Sequence, residues 1–308
     1  MNSIFLLFWE NNVTFLYRKA VKGDIQADFD RLNTFVSQET KDSSTEVARI
    51  RMRIHKEAYF KKVNALLDHI HKGDIYEANF CQEFYVENTP LNPVQTFERL
   101  NTISKAPFSA LLRWKGKHLL CASPERYLKR EAHTVLSQPI KGTAPRGSNA
   151  AEDKKIAKAL KQDPKERSEN IMITDLVRND LSKAALRGSV SVEELCEVYR
   201  FEQVHQMIST VKAQVADTKK STDLIRDTFP MGSMTGAPKI SAMKCIEEHE
   251  ETKRGLYSGT VGYFAPNGDF DFNVVIRSIL YNAETQYISF SVVSANTAKS
   301  TPEIAYQD

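Results

Sequence analysis

Cysteine is scarce in this chain: Cys81, Cys121, Cys196 and Cys245 are the only four in 308 residues, and no two form a Cys-x-x-Cys pair. That spacing offers neither a thiolate zinc site nor a disulfide framework, and it fits a reducing cytoplasm. Long apolar runs are missing too, since no segment approaches the roughly 18 to 20 residues that span a bilayer. The apolar stretch from Ile4 to Trp9 lacks a basic n-region and a small-residue cleavage site, so it reads as a strand. Nor is there a surplus of one charge. The 42 basic and 39 acidic residues are interleaved and net to +3, which argues against a nucleic-acid surface and a polybasic membrane patch. No repeat interrupts the chain, and the loop Phe229 to Lys239 lacks the Gly-Lys-Ser/Thr of a Walker loop, so a nucleoside triphosphate is not indicated. A small-molecule partner is expected.

The composition, 41% apolar and 26% charged, is that of a globular protein with a sizeable core. One domain over 1–308 is expected, with a short N-terminal region of about 1–45 set off by the polar run Ser37 to Glu46. Tyr59, Val63, Leu66, Leu67 and Ile70 recur at helical spacing and predict a helix from about Arg49 to Lys72, stopped by Gly73. A strand over Ile75 to Val86 follows. Asn92-Pro93 opens a short helix whose Val94, Phe97, Leu100 and Ile103 should point inward. Phe108 to Trp114 and His118 to Ala122 read as a hairpin around Lys115-Gly116. Asn149 to Glu250 reads as mainly helical, and strands return over Leu256 to Ala265, Phe270 to Leu280 and Tyr287 to Val293. Strands in runs with helices gathered between them predict an α+β fold.

Several groups could carry chemistry. Lys141, in Pro139-Ile140-Lys141-Gly142-Thr143, is either a solvated surface lysine or a nucleophilic amine whose pocket lowers its pKa. Asp163-Pro164 starts a helix on which Glu166 and Glu169 share a face with Ile173, Leu176 and Val177. These carboxylates either complement the helix dipole or, turned inward, hold a cation such as Mg²⁺. Arg178 to Leu181 at the end of that helix read as structural. His205 is a satisfied core histidine unless other groups join it. The Gly/Ser/Thr loop 229–239 is either an interhelical turn or an anion site at a helix start. Arg277, in an apolar strand, needs an anion: a structural salt bridge or a substrate carboxylate.

Taken in order, Gly73-Asp74-Ile75-Tyr76, Ser123-Pro124-Glu125-Arg126-Tyr127, Pro139 to Thr143, Glu169-Asn170 with Asp175 to Asp180, Val204-His205, the loop 229–239, Arg254 to Tyr257 and Ile276-Arg277 resemble the chorismate-utilising enzymes. The resemblance covers about residues 55–308 and implies two packed β-sheets with outer helices. Members that aminate C4 of chorismate carry Lys where Lys141 stands, whereas those that make anthranilate carry Ala. The lysine base of isochorismate and salicylate synthases falls at Glu77 here. The resemblance therefore implies C4 amination, with anthranilate formation or a catalytically impaired binding protein as alternatives. Lys141 would attack C2 of chorismate, Glu125 would protonate the leaving C4 hydroxyl, and His205 would lie close to the ring. Gly142, Thr143, Ser233 and Thr235 would line the pocket, with Arg277 and Tyr257 on the enolpyruvyl carboxylate and the strand end at Ser294 and Ala295 on a second one. Mg²⁺ would be held by Glu169, Glu166 and Asp308, while Ala305 stands where relatives have a further glutamate. Ammonia would come from a glutamine amidotransferase subunit, and 4-amino-4-deoxychorismate, a precursor of 4-aminobenzoate and folate, would be the product.

Overall fold

The computed structural model describes residues 4–9, 12–17, 25–34 and 48–307, so the polar run 37–46 and Asp308 lie outside the described residues. The chain divides into two compact units, Met1–Ser44 and Thr45–Asp308. In the first, β1 (Ile4–Trp9) and β2 (Asn12–Tyr17) form an antiparallel pair, and α1 (Ile25–Thr34) is a helix.

The second unit begins with β3 (Arg51–Met52), α2 (Lys56–Lys72), β4 (Glu77–Val86) and α3 (Pro93–Ser104). Five strands follow: β5 (Phe108–Trp114), β6 (Lys117–Ser123), β7 (Arg126–Glu131), β8 (Thr134–Gln138) and β9 (Ile140–Pro145). Then come α4 (Ala150–Gln162), α5 (Pro164–Ser182), β10 (Ser191–Arg200), β11 (Val204–Gln214), α6 (Ser221–Thr228), β12 (Gly236–Ala237) and α7 (Lys239–His249). The unit closes with β13 (Gly262–Phe264), β14 (Phe270–Asn273), β15 (Ser278–Asn282), β16 (Tyr287–Thr297) and α8 (Pro302–Gln307). Two seven-stranded sheets result. One runs β12-β4-β16-β15-β6-β5 with β3 on β4, and the other β10-β11-β8-β7-β14-β13 with β9 on β11. The α+β expectation holds. No helix among the described residues is long and apolar enough to cross a membrane.

Local chemistry explains the helices that position the site. Gly73 takes a left-handed φ of 84° and donates its N–H to the carbonyls of His69 and Ile70, closing α2 as the sequence predicts. The Asp163 side chain accepts from Lys165 N and Glu166 N, and Pro164 fills the first position of α5. Ile173, Val177 and Leu181 on the inner face of α5 pack with Leu128, Val135, Val211 and Phe270 of the second sheet. A second core joins Val63 and Leu66 of α2 to Phe80, Ala242 and Ala305. Truncating one such fully buried leucine costs about 2–5 kcal/mol.

Three expectations need correction. α3 buries no residue fully: Val94 and Ile103 are 53% and 69% exposed, whereas Phe97 and Leu100 are half-buried, so only the middle of the expected inward stripe faces the fold. The stretch 149–250 contains the long hairpin β10–β11; β11 is buried on both faces from His205 to Val211, so it shows no period-two alternation in the sequence. Finally, the run Phe270 to Leu280 is broken after Asn273. β14 belongs to one sheet and β15 to the other, with Val274 to Arg277 crossing between them. The same happens at Pro124-Glu125, between β6 and β7. The two crossings are bonded to each other where Val274 N donates to Glu125 O at 3.0 Å, and Ala122 N at the end of β6 donates to Arg277 O at 3.2 Å.

Candidate active site

β4 carries Glu77 and Asn79 two residues apart, so strand alternation sends both side chains to one side. From the other sheet, β9 brings Lys141 to meet them. Its Nζ lies 3.0 Å from Glu77 Oε1 and donates to Asn79 Oδ1 at 3.0 Å. The Asn79 amide in turn donates to Glu77 Oε1 at 3.1 Å and to the Thr235 carbonyl at 3.2 Å. α5 fixes the lysine backbone from behind, because Asn170 Nδ2 donates to Lys141 O and Met207 O. Burial pulls the Lys141 pKa down, but Glu77 above all, then Glu169 and Glu125, outweigh it and the net direction is up. The lowered pKa expected of a nucleophile is therefore not the state seen here. The surrounding carboxylates favour its ammonium form.

Glu125 sits on the β6–β7 crossing, where Ser123 Oγ accepts its backbone N–H at 3.1 Å. Burial raises its carboxyl to about 7, although the Ser233 hydroxyl, Lys141, the Ile140 N–H and Arg277 each oppose that rise. Beside it, Arg126 binds Asp271 through both Nε and Nη2, at 2.9 and 3.0 Å, and so locks β7 to β14 next to the crossings. Arg277 occupies the other crossing with φ +50°, a left-handed conformation that is costly for a side chain of this kind. Its guanidinium forms no salt bridge among the described residues, which leaves the substrate-carboxylate alternative standing.

These groups open onto one cavity of about 810 Å³. Lys141, Glu125, Thr143, Ser233, Tyr257, Arg277 and Ala295 line it, and Leu100, Ile279, Phe290 and Val293 give it an apolar side. That mixture suits a small polar ring carrying carboxylates. Other expected residues lie elsewhere. Ser294 points to the opposite face of β16 from Ala295, into a second cavity of about 180 Å³ shared with Tyr59, Phe80 and Tyr306, as a one-residue step along a strand requires. The Thr235 hydroxyl donates to Met231 O at 3.0 Å, and only its carbonyl reaches the site, through Asn79. His205 is 2% exposed, with Nε2 2.9 Å from Asp153 Oδ1, and the Arg146 guanidinium grips the same carboxylate. It does not line the cavity; its bond ties α4 to β11.

Gly142 is also behind the wall. With φ +98°, it brings β9 so close to α5 that an added Cβ would stand 3.1 Å from Glu166 Oε2 and 3.2 Å from Met207 Cβ. Glu169 is 9% exposed; burial raises its pKa, Lys141 opposes this and Glu77 adds to it. Among the described residues no three His, Cys, Asp or Glu side chains gather into a metal cluster. Asp308, the third expected ligand, lies outside them. Neither Glu166 nor Glu169 lines the 810 Å³ cavity, and Lys165 Nζ lies 3.9 and 4.0 Å from their oxygens; as a neighbouring pair of carboxylates they still suit Mg²⁺, which commonly binds through one or two carboxylates and completes its shell with water and substrate oxygens. Ala305 has become core: it is 6% exposed, and its carbonyl accepts from Tyr59 Oη at 2.9 Å.

Two anchors escaped the sequence reading. Asn79 could have been found by counting two residues along the strand from Glu77. Arg254 stood out only within a resembling segment, yet it donates to Met234 O at 2.6 Å, Asn79 O at 2.7 Å, Ser258 Oγ at 3.1 Å and both oxygens of Glu250.

The sequence pattern of the chorismate binding enzymes matches residues 12–307. Aminodeoxychorismate synthase component 1 of Escherichia coli (strain K12) is 38% identical over 82% of this chain and 55% of its own length, and its Salmonella typhimurium counterpart is 40% identical over 81% and 54%. Anthranilate synthase component 1 1 of Haloarcula marismortui is 35% identical over 88% of this chain and 55% of its own. The chain thus spans about half the length of the curated relatives it matches. Among solved structures, anthranilate synthase component I from Streptococcus pneumoniae TIGR4 superposes with a TM-score of 0.82 at 28% identity, covering 92% of this chain and 62% of that one. MenF, the menaquinone-specific isochorismate synthase of Escherichia coli, reaches 0.77 at 16% identity over 92% of this chain and 65% of its own, which speaks to the fold alone. With two sheets, an acid and an amine converging on one cavity, and this likeness along nearly the whole sequence, the chain belongs to the chorismate binding enzyme family.

Proposed function

We infer that the chain aminates chorismate at C4, as the component 1 activity of an aminodeoxychorismate synthase. The observation that carries this reading is the placement of the Lys141 amine and the Glu125 carboxyl in the wall of the same cavity. An amine there can attack C2 while the acid protonates the departing C4 hydroxyl, and ammonia then adds at C4 and expels the lysine. Two allylic displacements replace one difficult substitution. With a pKa near 7, Glu125 is still partly protonated at neutral pH, the condition a general acid needs.

Arg277, which faces the cavity and forms no salt bridge among the described residues, holds the enolpyruvyl carboxylate, and Tyr257 lines the same cavity. Thr143 and Ser233 supply hydroxyls, and Ala295 leaves the strand backbone open to the ring. Glu166, Glu169 and Asp308 would hold Mg²⁺, which when bound neutralises the ring carboxylate against these acids. His205 orients the ring indirectly, by holding α4 against the strand that pairs with β9. Ammonia comes from a glutamine amidotransferase subunit or from solution.

The test is a product assay with chorismate, Mg²⁺ and excess ammonium. It should give 4-amino-4-deoxychorismate, abolished in Lys141→Ala, and a mass adduct on the Lys141 peptide when ammonium is left out. Anthranilate fluorescence without added lyase, or tight chorismate binding without turnover, would overturn the reading.

A further inference from the structure

Glu77 is completely buried, and its two oxygens differ. Oε1 accepts from both Lys141 and Asn79, whereas Oε2 makes no hydrogen bond among the described residues. That leaves one buried oxygen of Glu77 with its acceptor capacity unused, beside the amine. The proton nearest to hand is on Lys141. Asn79 bonds both partners at once, Oδ1 to the ammonium and Nδ2 to the carboxylate, so the pair is held in line for transfer.

We propose that Glu77 is the internal base of the reaction, taking the proton from the Lys141 ammonium as chorismate fills the cavity and returning it when the lysine is expelled. The proposal rests on the C4-amination reading, and the balance of that reaction closes. Lys141 passes one proton to Glu77 and becomes a neutral amine; its lone pair forms the bond to C2, both conjugated ring double bonds shift, and the C4–O bond breaks. The hydroxyl leaves as water with the proton of Glu125. The lysine nitrogen, now a secondary ammonium, is displaced as a neutral amine when ammonia bonds to C4 and both double bonds shift back. The new C4 ammonium gives a proton to Glu125, and Glu77 restores the one on Lys141. A glutamine at 77 would keep the shape but could not accept this proton.

The other charged groups around the amine fit less well. Glu169 of α5 raises its charge-holding tendency without forming an ion pair with it, Glu125 of the β6–β7 crossing is the acid of the same cycle, and Arg277 of the β14–β15 crossing is a cation. Glu77 of β4 is alone among the described carboxylates in lying within ion-pair distance of Lys141.

The experiment compares wild type with Glu77→Gln in two measurements. Competitive acetylation with acetic anhydride, read by peptide mass spectrometry across pH 6–10, gives the ionisation of Lys141 without using turnover. Steady-state amination with ammonium gives the pH profile of kcat. In the wild type, turnover should persist well below the pH at which Lys141 becomes acetylated. In Glu77→Gln acetylation should move to lower pH, and the ratio of its kcat to the wild-type value should fall tenfold for each pH unit below that new midpoint. The proposal is overturned if wild-type turnover itself tracks acetylation, or if the ratio is flat with pH. A circular dichroism spectrum matching the wild type excludes misfolding, and Glu77→Asp, which keeps an acceptor, should restore the flat profile. If the wild type makes no C4-amino product while acetylation still shifts in Glu77→Gln, the functional reading fails and the proton coupling stands.

Discussion

Val274 donates its backbone N–H to the carbonyl oxygen of Glu125 at 3.0 Å, so the acid is held by the main chain at the point where two strands change sheet. Glu125→Gln should lower kcat about 10²- to 10⁴-fold, as loss of a general acid does. Its stability should move the other way. The folded carboxyl binds its proton more tightly than the ordinary value near 4.5, so wild-type stability is lost as pH rises from about 4.5 to about 7 and stays constant above. Glutamine removes that loss, roughly 3 kcal/mol in scale. Urea denaturation at pH 5 and pH 8 should show the variant gaining on the wild type only at the higher pH.

Arg277 combines a strained backbone with a guanidinium that forms no salt bridge among the described residues. Arg277→Gly should therefore cost no stability and raise it by up to about 1 kcal/mol, while KM for chorismate climbs by two orders of magnitude or so. Arg277→Lys keeps both charge and strain but loses the bidentate fork, and its KM should rise about tenfold. Thermal melts paired with KM check both. A stability loss in the glycine variant would place the guanidinium in the fold and not in the site.

Arg254 and Glu250 form a buried pair with side chains 14% and 7% exposed. Arg254→Ala strands the carboxylate and two backbone carbonyls, and should cost about 3–5 kcal/mol. Guanidinium denaturation of Arg254→Ala, Glu250→Ala and the double variant should show the double variant losing less than the sum.

At Gly142 a methyl group meets both Glu166 and Met207 and also opposes a φ of +98°. Gly142→Ala should destabilise by about 1–3 kcal/mol. Because it displaces Glu166, it should also raise the Mg²⁺ concentration for half-maximal amination about tenfold, which a metal titration of kcat reads directly.

Much of this architecture was legible in the sequence wherever one element carries its own signal. Asp163-Pro164 announced α5, Gly73 closed α2, and Lys115-Gly116 marked a hairpin. What stayed hidden depends on strand pairing. β11 is apolar on both faces and shows no alternation. The breaks at Pro124-Glu125 and Val274 to Arg277 exist only because neighbouring strands recruit the chain into different sheets. The partnership of Glu77 with Lys141 spans two sheets and 64 residues, so no local pattern encodes it. Likewise, of Ser294 and Ala295, both expected at the site, only Ala295 faces the cavity, a matter of register that the pairing of β16 with β4 decides. Sequence could name the chemical groups but not which of them share a wall.

The paired crossings have a further consequence. Since Glu77 and the Lys141 amine ride on separate sheets, and Glu125 and Arg277 on the joints between them, the proposed reactive arrangement is a gauge of how well the sheets are registered. A slip of an ångström at these joints would silence the enzyme while every strand remained intact. Heating should therefore extinguish catalysis several degrees before circular dichroism records any melting.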